Sequence, residues 1–280
     1  MKEKFQTTKN CADAGTIPLR YPVLFVHGAG FRDKIMGCID YWGRIPAHLA
    51  RQGVRCYYGG TDAWGSIESN AAILQSRVQD ILRITGASRV NIIAHSRGGL
   101  ESRYLISSLG MAEKIASLTT ISTPHHGVKA VNIALHFPES IYRLTAFFVD
   151  LWSRMSGDKA PDFWTSSRQL SPAHAVAFNR SNPDSSAVYY QSFAAKMQHW
   201  FSDPTFMLMY PLIRLTDGDN DGLCPIESAK WGDYKGVITS QGAFGISHGG
   251  VIDSHKVKYK GADIIALYIS IVTELAAKGF

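Results

Sequence analysis

Hydrophobic positions in the first half of the chain switch between two periods. Residues 21–26 form a short run, Tyr-Pro-Val-Leu-Phe-Val, that stops at His27-Gly28-Ala29-Gly30, as a buried strand ended by a glycine-rich turn would. Residues 41–52 read as a helix closing at Gly53, and 54–58 as the next strand. From Ser66 the apolar residues Ile67, Ala71, Leu74, Val78, Ile81 and Leu82 recur at helical spacing, with Gly86 placed to cap the C-terminus. Residues 90–94 read as a strand, 98–108 as a helix and 118–122 as a β-rich segment halted by Pro124. Strands alternating with helices of this length predict an α/β fold: a mostly parallel central sheet with helices on both faces.

The second half is less regular. Between about 129 and 170 the pattern is helical without strands, which predicts an insertion lying over the sheet. Within it Ile141, Leu144, Phe148, Leu151, Trp152 and Met155 form a broad apolar stripe between Pro138 and Gly157, fitting either a core helix or a mobile cover. Residues 212–216 look β-like, and 261–277 read as a terminal helix with Ile264, Ile265, Tyr268, Ile271, Val272 and Leu275 on one face. No repeat or low-complexity linker divides the chain, so one domain over 1–280 is expected, with the helical insertion around 129–170.

A chain of 280 residues can bury a core without metals or disulfides. Its 45% hydrophobic and 19% charged residues exclude disordered and fibrous classes. The net charge of +6 is scattered; the densest cluster, Lys256, Lys258 and Lys260, reads as a solvated face, so no nucleic-acid partner is expected. Cys11, Cys38, Cys56 and Cys224 lack C-x-x-C spacing and read as free thiols. The opening segment, with Lys2, Glu3, Lys4 and Lys9, has no apolar signal-peptide core, and no run is long enough for a transmembrane segment. The expectation is a cytoplasmic protein, or a secreted one if a leader was removed.

The chemistry gathers at Ala94-His95-Ser96-Arg97-Gly98, where a hydrophobic strand meets a helix. In a nucleophile elbow the serine takes that sharp turn, and the positions two before and two after it must be small. A serine hydroxyl needs a histidine base and an acid to orient that base. Downstream lie Asp221 in Asn220-Asp221-Gly222-Leu223 and then His248 in a Ser/Gly-rich loop, with His255 as the competing base among ten histidines. Backbone donors for the oxyanion are expected from Arg97 and from Ala29 in the early glycine turn. Asp217, Asp219 and Asp221 match the first half of a calcium loop, but its twelfth position is Ser228, so Asp217 and Asp219 read as turn formers.

Val23 to Gly28 as V-L-F-V-H-G, Asp40-Tyr41-Trp42, Val90 to Gly99 as V-N-I-I-A-H-S-R-G-G, Ser122-Thr123-Pro124-His125, Phe178-Asn179 and Asn220-Asp221-Gly222-Leu223 together resemble the bacterial triacylglycerol lipases of the α/β-hydrolase fold. The resemblance spans most of residues 20–275. It implies Ser96 as nucleophile, Asp221 as acid, His248 as base and the Ala29 and Arg97 amides as oxyanion hole. It also implies a lid over the pocket, with Phe148, Leu151, Trp152, Met207 and Met209 as candidate contacts for a lipid or small ester and for a lipid interface. Calcium-bound members carry an aspartate two residues after the histidine; here Gly250 stands there, so the family's ligand pattern is not matched and no cofactor is expected, with calcium as the alternative. A small-ester carboxylesterase, an acyltransferase and a non-catalytic binding protein of the same fold are the alternatives.

Overall fold

The structure is a computed structural model that describes residues 15–35 and 39–280. The expectations for Cys11, Cys38 and the opening Lys2–Lys9 segment lie outside these residues. In chain order the first strands are β1 (Val23–Val26), β2 (Lys34–Ile35), β3 (Ile39–Asp40) and β4 (Cys56–Tyr58), followed by β5 (Val90–His95), β6 (Ile115–Ile121), β7 (Tyr189–Ala195) and β8 (Asp233–Ile238). Six of them form a parallel sheet in the order β4-β1-β5-β6-β7-β8, and β2 pairs with β3 in a small antiparallel ladder.

The helices are α1 (Ile45–Arg51), α2 (Ile67–Thr85), α3 (Gly98–Ser107), α4 (Ala130–Leu135), α5 (Glu139–Met155), α6 (Phe163–Arg168), α7 (Pro172–Ser181), α8 (Met209–Asp217), α9 (Ile226–Ala229) and α10 (Ile264–Ala277). The period-2 alternation of the central strands divides the core into two layers. Val23 and Phe25 of β1, with Ile93 of β5, pack on the side of α1 and α10, against Trp42, Ile45, Leu49, Tyr268 and Val272. Leu24 and Val26, with Ile92 and Ala94, pack on the side of α2 and α3, against Leu74, Val78, Ile81 and Leu105. Helix α2 begins where the Ser66 side chain accepts a hydrogen bond from the Ser69 amide and ends at Gly86 in the left-handed region, as its sequence predicts.

Three expectations change. Residues 212–216 are not a strand but part of α8, whose Tyr210 and Ile213 point inward while Leu215 faces solvent. A five-residue apolar run carries too little periodicity to separate the two states. Strands β7 and β8 arise where no strand was expected. The helices expected at 41–52 and 261–277 start three or four residues late, at Ile45 and Ile264. Between β6 and β7 the chain runs through α4 to α7 without a strand. In α5 only Ala146 and Ser153 are buried, so its apolar stripe is an exposed face and not a core face.

Candidate active site

Ser96 follows β5 with a φ of 56°, a left-handed conformation unusual for a residue with a side chain. The turn is held from three sides. The Ser96 amide donates to the Ile121 carbonyl at 2.9 Å, its carbonyl accepts from Gly99 N–H at 3.1 Å, and Thr123 Oγ1 donates to the same carbonyl at 2.7 Å. Close packing explains the small flanking residues: a Cβ on Gly98 would stand 2.4 Å from the His27 carbonyl oxygen. A Cβ on Gly28 would stand 2.6 Å from Ser96 Cβ, so the glycine turn after β1 lies directly against the elbow. These are the contacts a nucleophile elbow demands.

Asp221 and His248 meet as a buried pair. His248 Nδ1 donates to Asp221 Oδ2 at 2.8 Å, and the His248 amide donates to the Asp221 carbonyl at 2.8 Å, so the same residue holds ring and backbone. The other carboxylate oxygen accepts the Leu223 and Cys224 amides at 3.0 and 2.7 Å. Three donors on the carboxylate of this fully buried aspartate satisfy its charge, and the bond at Nδ1 leaves His248 Nε2 without a protein partner among the described residues. The His248 ring lies 4.3 Å from that of His95, the residue before Ser96. Among the described residues the Ser96 hydroxyl makes no hydrogen bond to Nε2; such contacts are often long in unliganded enzymes and close on substrate.

The other expected residues divide clearly. Asp217 caps α4 by accepting the Lys129 and Ala130 amides, and Asp219 pairs with Lys196 at 2.6 Å and with Arg214. His255 is bound to Asp203, not to Asp221. His125 is buried, bonded to Thr120 and stacked on Trp231, while Asn179 joins Arg103 to the His125 carbonyl. Cys56 and Cys224 are free thiols, and burial pushes Cys56 up to about 12. Phe148, Leu151 and Trp152 lie on the exposed face of α5, and Met207 and Met209 are partly exposed between the short helical turn Pro204–Phe206 and α8. Clefts of about 450 and 700 Å³ open beside α10; neither is lined by Ser96, Asp221 or His248.

Tyr41 and the Arg97 side chain are two supports to which sequence reasoning assigned no role. Gly28 N–H donates to the Tyr41 hydroxyl at 3.0 Å, and that hydroxyl donates to His95 Nδ1 at 2.7 Å. Burial, with the neighbouring His248 ring, holds His95 well below the usual histidine range, so the ring is neutral and has a nitrogen able to accept. The chain ties the glycine turn to the elbow. The Ala29 and Arg97 amides, among the described residues, donate to no protein acceptor. The Arg97 guanidinium is buried, pairing with Glu101 at 3.0 Å, with Ser166 of α6 and with the Ala63 carbonyl at 3.2 Å. A tyrosine after Asp40 and a buried arginine after a serine carry no local signal of these long-range contacts.

The position at which calcium-bound lipases carry an aspartate does not suit one here. A Cβ on Gly250 would stand 2.3 Å from the Tyr259 hydroxyl, and among the described residues no three His, Cys, Asp or Glu side chains converge as a metal site.

Residues 21–206 match the alpha/beta hydrolase fold family. The chain is 30% identical to triacylglycerol lipase 2 of Saccharomyces cerevisiae over 258 residues, 86% of this chain and 75% of the yeast protein. It is 33% identical to the triacylglycerol lipase of Vibrio cholerae over 61% of this chain, which spans 56% of that relative. In three dimensions it resembles the Staphylococcus hyicus lipase, with a TM-score of 0.70 over 95% of this chain and 98% of that one at 16% identity. A metagenomic carboxyl esterase superposes with a TM-score of 0.74 over 99% and 82% of the two chains at 15% identity. The chain therefore belongs to the alpha/beta hydrolase fold family, among its lipases. It is a serine ester hydrolase.

Proposed function

We propose that the protein is a lipase that cleaves medium- to long-chain acylglycerol esters through an acyl-enzyme on Ser96. Ser96 Oγ attacks the ester carbonyl as its proton passes to His248 Nε2, and Asp221 fixes the imidazole in the tautomer that can accept it. The Ala29 and Arg97 amides stabilise the resulting oxyanion. Collapse of the tetrahedral intermediate breaks the ester C–O bond, and the imidazolium proton leaves with the alcohol. Water, deprotonated by His248, then attacks the acyl-enzyme, and the carboxylic acid is released as Ser96 recovers its proton. No metal takes part in the proposed steps.

The observation that carries this reading is the buried His248–Asp221 bond at 2.8 Å beside an elbow serine with a φ of 56°. The lipid substrate rests on the lipase relatives and on α5, read as a lid, whose Phe148, Leu151, Trp152 and Met155 face solvent here and would meet a lipid surface. Each methylene buried with the acyl chain contributes up to about 0.8 kcal/mol, which favours long chains. Hydrolysis of p-nitrophenyl esters across chain lengths by wild type and Ser96→Ala tests both parts. Activity that rises beyond acetate, responds to emulsified triglyceride and disappears in the variant is expected. A profile peaking at acetate with no response to emulsion reduces the protein to a small-ester esterase.

A further inference from the structure

The loop that presents His248 has little regular structure: between β8 and α10 only the turn at Gly250–Ile252 is helical. Its position is therefore set by side-chain bonds, and these converge on Asp203, a residue distant in sequence and only 2% exposed. Asp203 Oδ2 accepts the Ser247 hydroxyl at 2.6 Å and His255 Nε2–H at 2.7 Å, while Oδ1 accepts the Thr205 amide at 2.9 Å. Ser247 is the residue before His248, and its Oγ in turn accepts the Gly250 amide at 3.0 Å. His255 closes the same loop from its far end, and the Ser254 hydroxyl donates to the Gly249 carbonyl at 2.7 Å.

Asp203 also anchors the segment that leads to Phe206, whose ring packs edge-on against His248 at 6.0 Å. A carboxylate is costly to bury unless its oxygens are matched by donors, and here three donors match it. The pair is thus a polar staple joining the two segments that bracket the base. It makes no bond to Asp221 or Ser96.

We infer that Asp203 and His255 are positioning residues for His248, acting through Ser247 to hold the base over the elbow. The inference rests on His248 being the base proposed above. An ångström of misplacement at a reacting group costs roughly 10²-fold in rate without loss of substrate binding. Removing the staple should accordingly lower kcat and spare KM, because it withdraws alignment that matters in the transition state.

The test compares His255→Ala, His255→Gln and Asp203→Asn on a soluble p-nitrophenyl ester, with rates normalised to the sites titrated by a fluorophosphonate. His255→Ala and Asp203→Asn should lose about 10- to 100-fold in kcat per titrated site with KM within about twofold of wild type. Glutamine presents an N–H donor at nearly the reach of Nε2, so His255→Gln should recover to within about threefold. Backbone amides of Gly250 and Val251 should exchange faster in His255→Ala than in wild type or His255→Gln. An unchanged kcat per site in His255→Ala, a glutamine variant as impaired as alanine, or unchanged exchange would overturn the staple while leaving the triad standing. Full hydrolysis by Ser96→Ala would instead strike the triad reading, and the exchange measurement would still decide whether the staple exists.

Discussion

At the scale of single residues, the aspartates near 220 separate by geometry. Asp221 alone meets His248, whereas Asp219 is turned to Lys196 and Arg214. Asp221→Asn would offer a donor to the imidazole and fix the wrong tautomer, so kcat should fall by roughly 10³- to 10⁴-fold. Asp219→Asn should stay within about threefold of wild type, since pairs of partly exposed charges contribute little; a larger loss at Asp219 than at Asp221 would exchange their roles. The Asp203–His255 pair makes a second prediction, on stability. Burial opposes ionisation of Asp203, but bonds from His255 and Ser247 outweigh it and hold the carboxyl below the usual range, and the same contact raises His255. The Asp203 contribution is present above its unfolded value of about 3.9 and is lost as pH falls through the lower folded value; that of His255 is present below about 6.5 and is lost as pH rises through the higher folded value. Around the pair, Tyr259 is raised to about 12 by burial and stays neutral, Asp253 is tied to Arg44, and Lys256 is exposed. The gap in Tm between wild type and His255→Gln should therefore shrink as pH rises above about 6.5. A gap that widens toward alkaline pH would contradict the ionic pairing.

At the scale of elements, α5 is the segment whose pattern and placement disagree most with an ordinary helix. Its stripe looks like a core face, yet Trp152 is 70% and Met155 77% exposed. Its C-terminal end is held by Arg32, which donates to the Ser156 carbonyl at 2.7 Å from the loop after β1. As a lid, α5 should matter only at an interface. Replacing Leu144, Phe148 and Trp152 by serine should cut hydrolysis of emulsified triglyceride at least about tenfold, given roughly 1.5–3 kcal/mol for burying one large apolar side chain. Turnover of p-nitrophenyl acetate should stay within about twofold; equal losses on both substrates would remove the lid reading. The elements were unevenly legible. Strands β1 and β5 and helix α2 announce themselves by clean periods and glycine boundaries. Strand β7 does not, because Gln191 and Ser192 interrupt its apolar pattern; inside the fold the Gln191 side-chain amide donates to the Thr119 hydroxyl and the Ser192 hydroxyl donates to the Trp231 carbonyl. Strand β8 lies at the sheet edge, where partial exposure removes the hydrophobic signal.

At the scale of the whole molecule, the parallel sheet carries Ser96 at the end of β5 and brings to it two loops from the less regular half of the chain. The strained turn at Ser96 and the residues of the Asp221–His248 pair, proposed above as nucleophile, acid and base, were readable from local motifs and their order. The supports around them, Tyr41, Arg97, Asp203 and His255, were not, since each acts through a partner remote in sequence. That division follows from physics: a strained turn needs small neighbours at fixed spacing, while a hydrogen bond across the fold leaves no period. The central claim is that Ser96 forms the covalent intermediate. Its most direct test is mass spectrometry after treatment with a fluorophosphonate, run in parallel on wild type and Ser96→Ala. The account predicts a single adduct on the peptide containing Ser96 in wild type, and neither adduct nor ester hydrolysis in the variant. An adduct on another serine, or an unlabelled Ser96 in an enzyme that the reagent inactivates, would contradict it.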